Sequence, residues 1–332
     1  MTKIAQFDEI GPPANLTIVD RPLPVPKPEE VQVAMKIAGL NRAELMFLNG
    51  TYIVQPNLPS MLGIEGAGTV HATGRNVRNV AIGDRVAIVP TFSAEKYGVL
   101  GQVVTVPATS VQSIPDDLPF DIAASAFVAY LTAWGGLVHA GGLKADAGQV
   151  VLVPAASSSV GIAAIQLAKQ HGATVIATTR GREKVDAIKA QGPDHIIVTD
   201  EEHLPARVME ITDGEGFDIC FDCIAGRFIE VLAEGAGYEA VFVEYGLLSL
   251  EETPIPFLAT ANKALCFKGF HVIHDIITQP DRLNRAMEHV LPRLSDGTYR
   301  PVIDSRFALE QVADAYDHMA SNAQVGKILI TI

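Results

Sequence analysis

The sequence predicts an α/β protein with two domains, one strand-rich and β-barrel-like, the other built on a doubly wound parallel sheet. Residues 150–177 read VVLVPAASSSVGIAAIQLAKQHGATVIA: an apolar strand, a turn of small residues, an amphipathic helix and a second apolar strand. This pattern is typical of one βαβ unit. The first 120 residues instead alternate short apolar strands with Pro and Gly turns. A length of 332 residues suits about two domains.

The individual elements follow from local patterns along the chain. The strands predicted for the first domain are AQFDEI, LTIVD, VQVAMKIAGL, GTVHATG and DRVAIVP. The segment DIAASAFVAYLTAWGGLVHAGG has helical spacing, and βαβ units follow it through EAVFVEYG and ALCFKGFHV. Helices at about 281–294 and 308–320, with strands YRPVIDSRF and GKILITI, return the chain to the first domain. We therefore expect residues 1–122 and 275–332 to form one domain and 123–274 the other, with a ligand cleft between them.

The turn after the strand VVLV resembles a dinucleotide-binding turn with two of its glycines replaced. Ala156 and Ser158 hold the first two glycine places, and Gly161 holds the third. Ser and Ala are small enough for such a turn, and the helix beginning near Ser159 and Val160 directs its N–H groups at an anion. The turn alone is equally compatible with an ordinary tight turn of a structural α/β protein.

The residues after the second strand favour NADP(H) over NAD(H). A site for NAD usually has an acidic residue about 20 residues beyond the glycines. This chain has the hydroxyl of Thr179 and the cations Arg180, Arg182 and Lys184 instead. Guanidinium groups bind phosphate oxygens in a bidentate manner, so this cluster suits a 2′-phosphate. The alternative is a solvated basic start of a helix.

Ligands of doubly wound sheets lie at the carboxyl ends of the strands. That rule predicts further cofactor contacts at Cys223, Ile224, Tyr245, Gly246, Leu247, Phe270 and His271, each of which follows a predicted strand. For His271 and the nearby His274, a role at the surface or in a dimer contact is the alternative.

Composition narrows the class of protein. The net charge is −13 and no basic block is present, which argues against a nucleic-acid partner. The N-terminus lacks a signal pattern and no apolar run reaches the roughly 20 residues of a membrane span, so we expect a cytoplasmic protein with no membrane partner. Cys220 and Cys223 form a C-x-x-C, but it lies in an apolar strand rather than at a helix start, which argues against a redox or metal role.

Several blocks together resemble a known family. GLNRAELMFLNGTYIVQPNLPSMLGIEGAGTVHATGRNVRNVAIGDRVA, residues 39–87, and AASSSVGIAAIQLAKQHGATVIA resemble the medium-chain dehydrogenase/reductase superfamily, in particular its zinc-independent quinone oxidoreductase (zeta-crystallin-like) branch. The resemblance covers essentially the whole chain. It implies a GroES-like catalytic domain, a Rossmann domain and usually a homodimer, and the basic residues after the second strand make NADPH the expected cofactor.

The resemblance also bears on metals. Zinc-dependent members carry Cys and His where this chain has Asn41 and Ile64, and residues 88–110 lack the cysteines of the structural-zinc lobe. A carboxamide and an aliphatic side chain are poor zinc ligands, so we expect no metal. Without a Lewis acid, the feasible reaction is hydride transfer to an electron-poor acceptor, either a quinone or an α,β-unsaturated carbonyl.

The catalytic residues implied by the resemblance are Tyr52, as a hydrogen-bond donor to the acceptor, and Asn41, which would hold the substrate oxygen or the nicotinamide ribose. Tyr52 has the alternative of a solvated barrel-edge aromatic, and Asn41 that of a helix N-cap with Glu44 three positions later. Glu65 is interpreted as structural or cleft-shaping.

Three more cofactor contacts are expected. Tyr130 and Thr132 match a family helix that faces the nicotinamide, and Lys327 is placed to close over the cofactor, with a solvated lysine as the alternative. Two other functions stay open: an enoyl-thioester reductase, and a non-catalytic NADPH-binding sensor or structural protein.

Overall fold

The computed structural model describes residues 1–332. Its strands are β1 Thr2–Phe7, β2 Thr17–Arg21, β3 Glu30–Gly39, β4 Ser60–Met61, β5 Glu65–Thr73, β6 Arg85–Ile88, β7 Val103–Pro107, β8 Val111–Ser113, β9 Val150–Val153, β10 Thr174–Thr179, β11 His195–Val198, β12 Phe217–Asp222, β13 Ala236–Glu244, β14 Cys266–Gly269, β15 Ile303–Ala308 and β16 Lys327–Thr331. Its α-helices are α1 Arg42–Leu48, α2 Phe120–Trp134, α3 Ser159–Gln170, α4 Val185–Lys189, α5 Leu204–Ile211, α6 Phe228–Glu234, α7 Phe257–Lys263, α8 Pro280–Ser295 and α9 Val312–Ala320.

The chain divides into two compact units. Unit 1 comprises Met1–Val128 and Leu291–Ile332, and unit 2 comprises Ala129–Val290. The predicted boundaries, after residues 122 and 274, fall earlier in the chain than the observed ones. The reason is that both observed boundaries lie within helices, α2 and α8, whereas the prediction rests on the ends of periodic segments.

Unit 1 is strand-rich, as predicted. Its larger sheet has the order β15-β16-β3-β5-β6-β8, with β7 also pairing with β3, and a smaller sheet has the order β2-β1-β4. The alternating apolar residues of β3 and β5 supply the inward face that these sheets need. The core contains Phe7, Val33, Phe47, Ile88 and Tyr316 among others, all almost fully buried. This is the GroES-like domain that the resemblance implies.

Unit 2 contains the predicted parallel sheet. The strand order is β11-β10-β9-β12-β13-β14, and the neighbouring strands are parallel throughout. This is the order of a Rossmann sheet, in which the chain reverses direction across the sheet between β9 and β12. Leu152, Ile176, Cys220 and Phe242, one from each of four adjacent strands, are fully buried in its core. The α/β fold class is therefore confirmed.

The helix that spans residues 120–140 follows the predicted segment but is apolar over the length of a membrane span, which the sequence analysis did not expect. Phe120–Ala140, which is α2 followed by a π-helical turn, passes a length and hydropathy test for a membrane span, with a mean hydropathy of 1.4. Within this helix, 83% of the most apolar 18-residue stretch is buried inside the protein. Burial of this kind is typical of a core helix, whose small residues allow close packing on every face.

Candidate active site

The turn between β9 and α3 is held by a side-chain cap and by a backbone hydrogen bond to β10. Ser158 is the N-cap of α3, and its Oγ accepts the Gly161 N–H at 3.0 Å. Ala156 is fully buried, and its N–H donates to the Thr178 carbonyl at 3.1 Å. Ser159 and Val160, in the first turn of the helix, are half-buried. The hydroxyl cap that the sequence could not specify thus replaces one glycine without lengthening the turn.

Gly161 lies where any side chain would collide with the turn. A Cβ added there would lie 2.8 Å from the Ala155 carbonyl oxygen and 2.9 Å from the Ala156 Cα. Because both neighbours are backbone atoms, neither can move aside cheaply. Gly161 therefore allows helix and strand to pack closely, as the third glycine of the fingerprint does, at the start of a 12-residue helix.

Among the cations after β10, Arg180 and Arg182 differ in their engagement. Arg180 immediately follows the strand and is exposed, whereas Arg182 forms an ion pair with Glu201, with its Nε 2.7 Å from Oε1. Lys184 is half-buried at the end of a 3-10 turn, and the buried Thr179 hydroxyl donates to the Gly181 carbonyl. Of the two arginines, Arg182 is the one paired with a carboxylate, and the contact of Arg180 with a 2′-phosphate stays a prediction.

The loops that follow β12 and β13 are joined along their length. The Tyr245 N–H donates to the Asp222 carbonyl at 2.9 Å, and the Leu248 and Ser249 N–H groups donate to the Cys223 and Ile224 carbonyls, both at 3.0 Å. Gly246 allows this approach, because a Cβ there would lie 2.8 Å from the Cβ of Cys223.

The predicted contacts in these loops differ in exposure. Gly246 and Leu247 are exposed, Ile224 and Tyr245 are half-buried and Cys223 is buried. Burial and the charge of Asp222 raise the pKa of the Cys223 thiol to about 12, so that it is no nucleophile at neutral pH.

Phe270 and His271, the residues after β14 that were predicted to contact the cofactor, form hydrogen bonds with other residues of unit 2. Phe270 is buried, and its N–H donates to the Glu244 carbonyl at 2.9 Å. The His271 backbone N–H donates to Asp275, and the two imidazoles of His271 and His274 lie 4.7 Å apart. Burial and His274 lower the pKa of His271, which favours the neutral ring.

Tyr130 is packed more deeply than expected for a residue that faces the nicotinamide. Its ring is 1% exposed, and the hydroxyl donates to Gln166 on α3 at 2.7 Å. Tyr130 thus links α2 to α3 within unit 2, and its contact with the nicotinamide stays a prediction. Thr132, two residues on, is also buried. The sequence pattern could not distinguish an inward from a ligand-facing position on so apolar a helix.

In unit 1, Tyr52 lies just beyond α1 and is half-buried against the core. Its backbone N–H donates to the Met46 carbonyl, which fixes it at the end of the helix. Burial, and then the charge of Glu44, raise the pKa of the Tyr52 hydroxyl. The hydroxyl therefore keeps its proton at neutral pH, as a hydrogen-bond donor must.

Asn41 makes hydrogen bonds to several other polar residues of unit 1. It is the N-cap residue of α1 by position, but its side chain makes no capping bond. Its Oδ1 accepts from Lys327 Nζ at 2.8 Å, and its Nδ2 faces the Gly39 carbonyl, Glu44 and Glu65 at 3.0 to 3.3 Å. Both N–H groups are thus engaged within unit 1, so Asn41 positions its neighbours there, and its contact with a substrate oxygen or the nicotinamide ribose stays a prediction.

Lys327 is also placed differently from the expectation. It is 1% exposed, and its ammonium pairs with Glu65, which is equally buried, and with Asn41. It neither closes over a cofactor nor lies in solvent. Glu65 also accepts the Val128 N–H at 3.0 Å, which supports its interpretation as structural.

Glu44 is a member of this cluster that the sequence analysis treated only as a possible capping partner. Its Oε1 accepts from Asn41 and from the Ile64 N–H at 3.2 Å, and its other oxygen accepts from the Tyr316 hydroxyl. Burial raises the pKa of Glu44 to about 7 despite these donors. No signal short of the long-range contact to Tyr316 could have identified it.

The fold and these two sets of residues define the class of two-domain dinucleotide-dependent dehydrogenases, and comparison with known proteins agrees. Residues 27–116 match the family described as "Alcohol dehydrogenase GroES-like domain", and residues 159–292 match "Zinc-binding dehydrogenase". A probable quinone oxidoreductase of Leishmania amazonensis is 31% identical over 96% of this chain and 94% of its own. The chain belongs to the quinone oxidoreductase branch of the medium-chain dehydrogenase/reductase superfamily.

A solved structure and a much longer relative complete the comparison. The Escherichia coli quinone oxidoreductase complexed with NADPH has a TM-score of 0.92 and 25% identity, with all of both chains covered. A phenolphthiocerol/phthiocerol polyketide synthase of Mycobacterium tuberculosis is 30% identical over 98% of this chain. This chain spans only 15% of that relative's length.

Proposed function

We propose that the protein is an NADPH-dependent, zinc-independent oxidoreductase that transfers hydride to a quinone or an α,β-unsaturated carbonyl. The observation that carries the proposal is the small-residue turn capped by Ser158, followed by the exposed Arg180 at the end of β10. The turn fits a pyrophosphate, and Arg180 fits a 2′-phosphate. The NADPH bound by the similar E. coli enzyme supports the same cofactor here.

The cluster around Asn41 supports a reaction without zinc. At the places where zinc-dependent relatives have a thiolate and an imidazole, this chain has the Asn41 carboxamide and the Ile64 side chain. Asn41 is engaged with the ammonium of Lys327, a fixed positive charge that would repel a divalent cation. This donor set therefore does not fit zinc.

The residues of unit 1 act on the substrate, which accepts the hydride, rather than on NADPH, which donates it. When bound, NADPH supplies the hydride. Tyr52 donates a hydrogen bond to the acceptor oxygen on which negative charge develops, and its raised pKa keeps the donor proton in place. Asn41, Glu44 and Glu65 hold the start of α1, and through it the position of Tyr52.

Replacing Tyr52 with phenylalanine lowers kcat by at least ~10-fold while KM for NADPH is unchanged, because only the stabilisation of the acceptor oxygen is lost. Steady-state NADPH oxidation measures both constants. Tyr97→Phe is the matched control, since Tyr97 is another half-buried tyrosine of unit 1 whose hydroxyl donates to Glu30. Equal effects of the two substitutions would remove Tyr52 from the reaction.

An enoyl-thioester reductase is the second candidate, favoured by the 30% identity to a segment of a polyketide synthase. The chemistry is the same hydride transfer to a β-carbon, with the thioester carbonyl as the oxygen that Tyr52 meets. Comparing kcat/KM for 9,10-phenanthrenequinone, a short enone and crotonyl-coenzyme A separates the classes. NADPH binding without turnover of any of the three would instead favour a non-catalytic sensor.

We further propose that the protein is a homodimer, with β14 at the interface. This short strand ends the sheet of unit 2 and leaves one edge unpaired, and Ile255, Phe257 and Leu258 nearby in the chain are at least 72% exposed. The unpaired edge of β14 can hydrogen-bond to the same edge of a second copy across a two-fold axis. This pairing satisfies the β14 edge in both copies.

Light scattering after size-exclusion chromatography is expected to give twice the chain mass of 35.4 kDa. Phe257→Glu shifts the mass towards one chain, because it places a charge in an apolar contact. Tyr238→Glu, at an equally exposed aromatic residue elsewhere in unit 2, leaves the mass unchanged. A wild-type protein of single-chain mass would exclude the dimer.

A further inference from the structure

Two acidic side chains lie side by side at the carboxyl edge of the unit 2 sheet. Asp222 ends β12 and Glu244 ends β13, and the two are direct partners in the register of these parallel strands. Asp222 is fully buried, and both carboxyl oxygens of Glu244 are shielded from solvent. A buried pair of acids needs either a cation or a proton between them.

The two carboxyl groups have unequal hydrogen-bond partners. Asp222 accepts the backbone N–H of Ile224 at 2.8 Å and that of Ala225 at 3.0 Å, one on each oxygen. Neither oxygen of Glu244 receives an N–H or O–H from another residue, and its side-chain interaction is with Asp222 itself. The carboxylate form is thus better stabilised at Asp222, so a proton bound by the pair is favoured on Glu244.

No cation replaces that proton. The titratable side chains of the elements packed around the pair are Asp218, Cys220, Cys223, Tyr238, Glu239 and Tyr245 on β12 and β13 or directly after them, Lys263 on α7, Cys266 and Lys268 on β14 with His271 after it, and His139 in the π-helical turn Gly135–Ala140. The Lys263 ammonium donates to the carbonyls of Ala233, Glu234 and Ala236. The Lys268 ammonium donates to the Ala140 carbonyl, and no cation contributes to the ionisation of Glu244. Burial, with the neighbouring Asp222 second, raises the pKa of Glu244 to about 8.

The pair lies directly beneath the loops predicted to contact the cofactor. Asp222 precedes Cys223 and Ile224, and Glu244 precedes Tyr245 and Gly246. The Asp222 carboxylate folds its own loop, in which Ala225 and Gly226 both have positive φ. A proton shared between the strand ends therefore connects the folded β12 loop to the β13 loop.

We infer that Glu244 is a positioning residue of the dinucleotide site, which joins the β12 and β13 loops through one proton shared with Asp222 and so makes cofactor affinity depend on that proton. The inference rests on the proposed function, because it takes NADPH as the ligand of these loops. Loss of the proton places two like charges side by side in a buried site, and the loops separate.

The test uses the full chain as wild type, Glu244→Gln and Glu239→Gln. Glutamine at position 244 donates N–H to Asp222 at every pH, and Glu239 is an exposed carboxylate of the same strand whose loss controls for charge alone. Two quantities are measured at pH 7 and 9.5: the Kd for NADPH by nicotinamide fluorescence, and the Tm of the protein without NADPH.

For the wild type and Glu239→Gln, Kd rises by about 5-fold or more and Tm falls between the two pH values. The sign follows from linkage. The folded chain keeps the Glu244 proton up to about pH 8, while the unfolded chain releases it near pH 4.5, so stability declines as pH rises through this range. For Glu244→Gln both quantities depend much less on pH.

The two measurements separate the possible failures. If the wild-type Tm depends on pH no more than that of Glu244→Gln, the shared proton is refuted. If the pH dependence of Tm differs between the wild type and Glu244→Gln, but the Kd for NADPH is independent of pH in both proteins, the link between the shared proton and the cofactor is overturned. Wild-type protein that binds no NADPH at either pH refutes the proposed function and this link together, while the Tm comparison still decides the shared proton.

Discussion

Replacing Arg180 with alanine raises the Kd for NADPH by about 10- to 100-fold and changes the Kd for NADH by less than about twofold. Hydrogen bonds to a charged group contribute about 1.5–3 kcal/mol each, and 1.4 kcal/mol corresponds to a factor of 10 in affinity. The two cofactors differ only in the 2′-phosphate, so the loss falls on one of them. Arg180 is chosen because it is exposed directly after β10.

Arg182→Ala is the informative control for this prediction. The Arg182 guanidinium is already paired with Glu201, so its removal is expected to weaken NADPH binding less than the removal of Arg180. Fluorescence titration of the wild type and both variants with NADPH and with NADH gives the six constants needed. Equal losses of NADPH and NADH affinity in Arg180→Ala would mean that the residue supports the fold of the loop and does not recognise the 2′-phosphate.

Lys327→Met lowers the free energy of unfolding by about 3–5 kcal/mol. Lys327 and Glu65 are both 1% exposed, and removing one partner leaves the other as an uncompensated buried charge. Urea unfolding of the purified protein measures the change. A second substitution, Glu65→Gln, is expected to restore part of the lost stability when it is combined with Lys327→Met, because it removes the orphaned charge.

Lys3→Met is the matched control for Lys327→Met. Lys3 also pairs with a glutamate, Glu310, but both of these side chains are largely exposed. Exposed ion pairs contribute about 0–1 kcal/mol, so the control is expected to lose no more than that. A comparable loss in Lys3→Met and Lys327→Met would show that burial of the Lys327–Glu65 pair has no special cost.

Much of the fold could be predicted because its signals are local. The βαβ unit of residues 150–177 needs only strand periodicity, a turn of small residues and an amphipathic helix, and β9, α3 and β10 follow that order. The strand-rich first domain was likewise marked by Pro and Gly turns. The two compact units divide elsewhere than at the predicted boundaries, within α2 and α8, because the prediction rested on the ends of periodic segments and these divisions fall inside helices.

The polar cluster of unit 1 could not be predicted in the same way. Lys327 and Asn41 are 286 residues apart in the chain, and Tyr316 and Glu44 are 272 apart. Only one hint was available: Glu65 lies in the apolar strand segment IEGAG, where a buried carboxylate requires a partner. The partner is Lys327, and it could be identified only from the pairing of β16 with β3, which brings the C-terminal strand beside Gly39.

The Asp222–Glu244 pair could be predicted in part from the sequence. Both acids end apolar strands, FDICFD and VFVE, so a position at the carboxyl edge of the sheet could be predicted. That they are partners required knowing that β12 and β13 are neighbours with Asp222 opposite Glu244. A shift of register by one residue would point the two side chains to opposite faces and remove the interaction.

The central claim is hydride transfer from NADPH without a metal, and turnover of chelator-treated protein tests it most directly. Oxidation of NADPH is followed at the nicotinamide absorbance with 9,10-phenanthrenequinone, with EDTA present throughout and NADH in a parallel reaction. We expect turnover with NADPH that is unchanged by the chelator and much slower turnover with NADH. Activity that disappears with the chelator and returns with zinc would contradict the account, as would tight NADPH binding without turnover of any quinone, enone or enoyl-thioester.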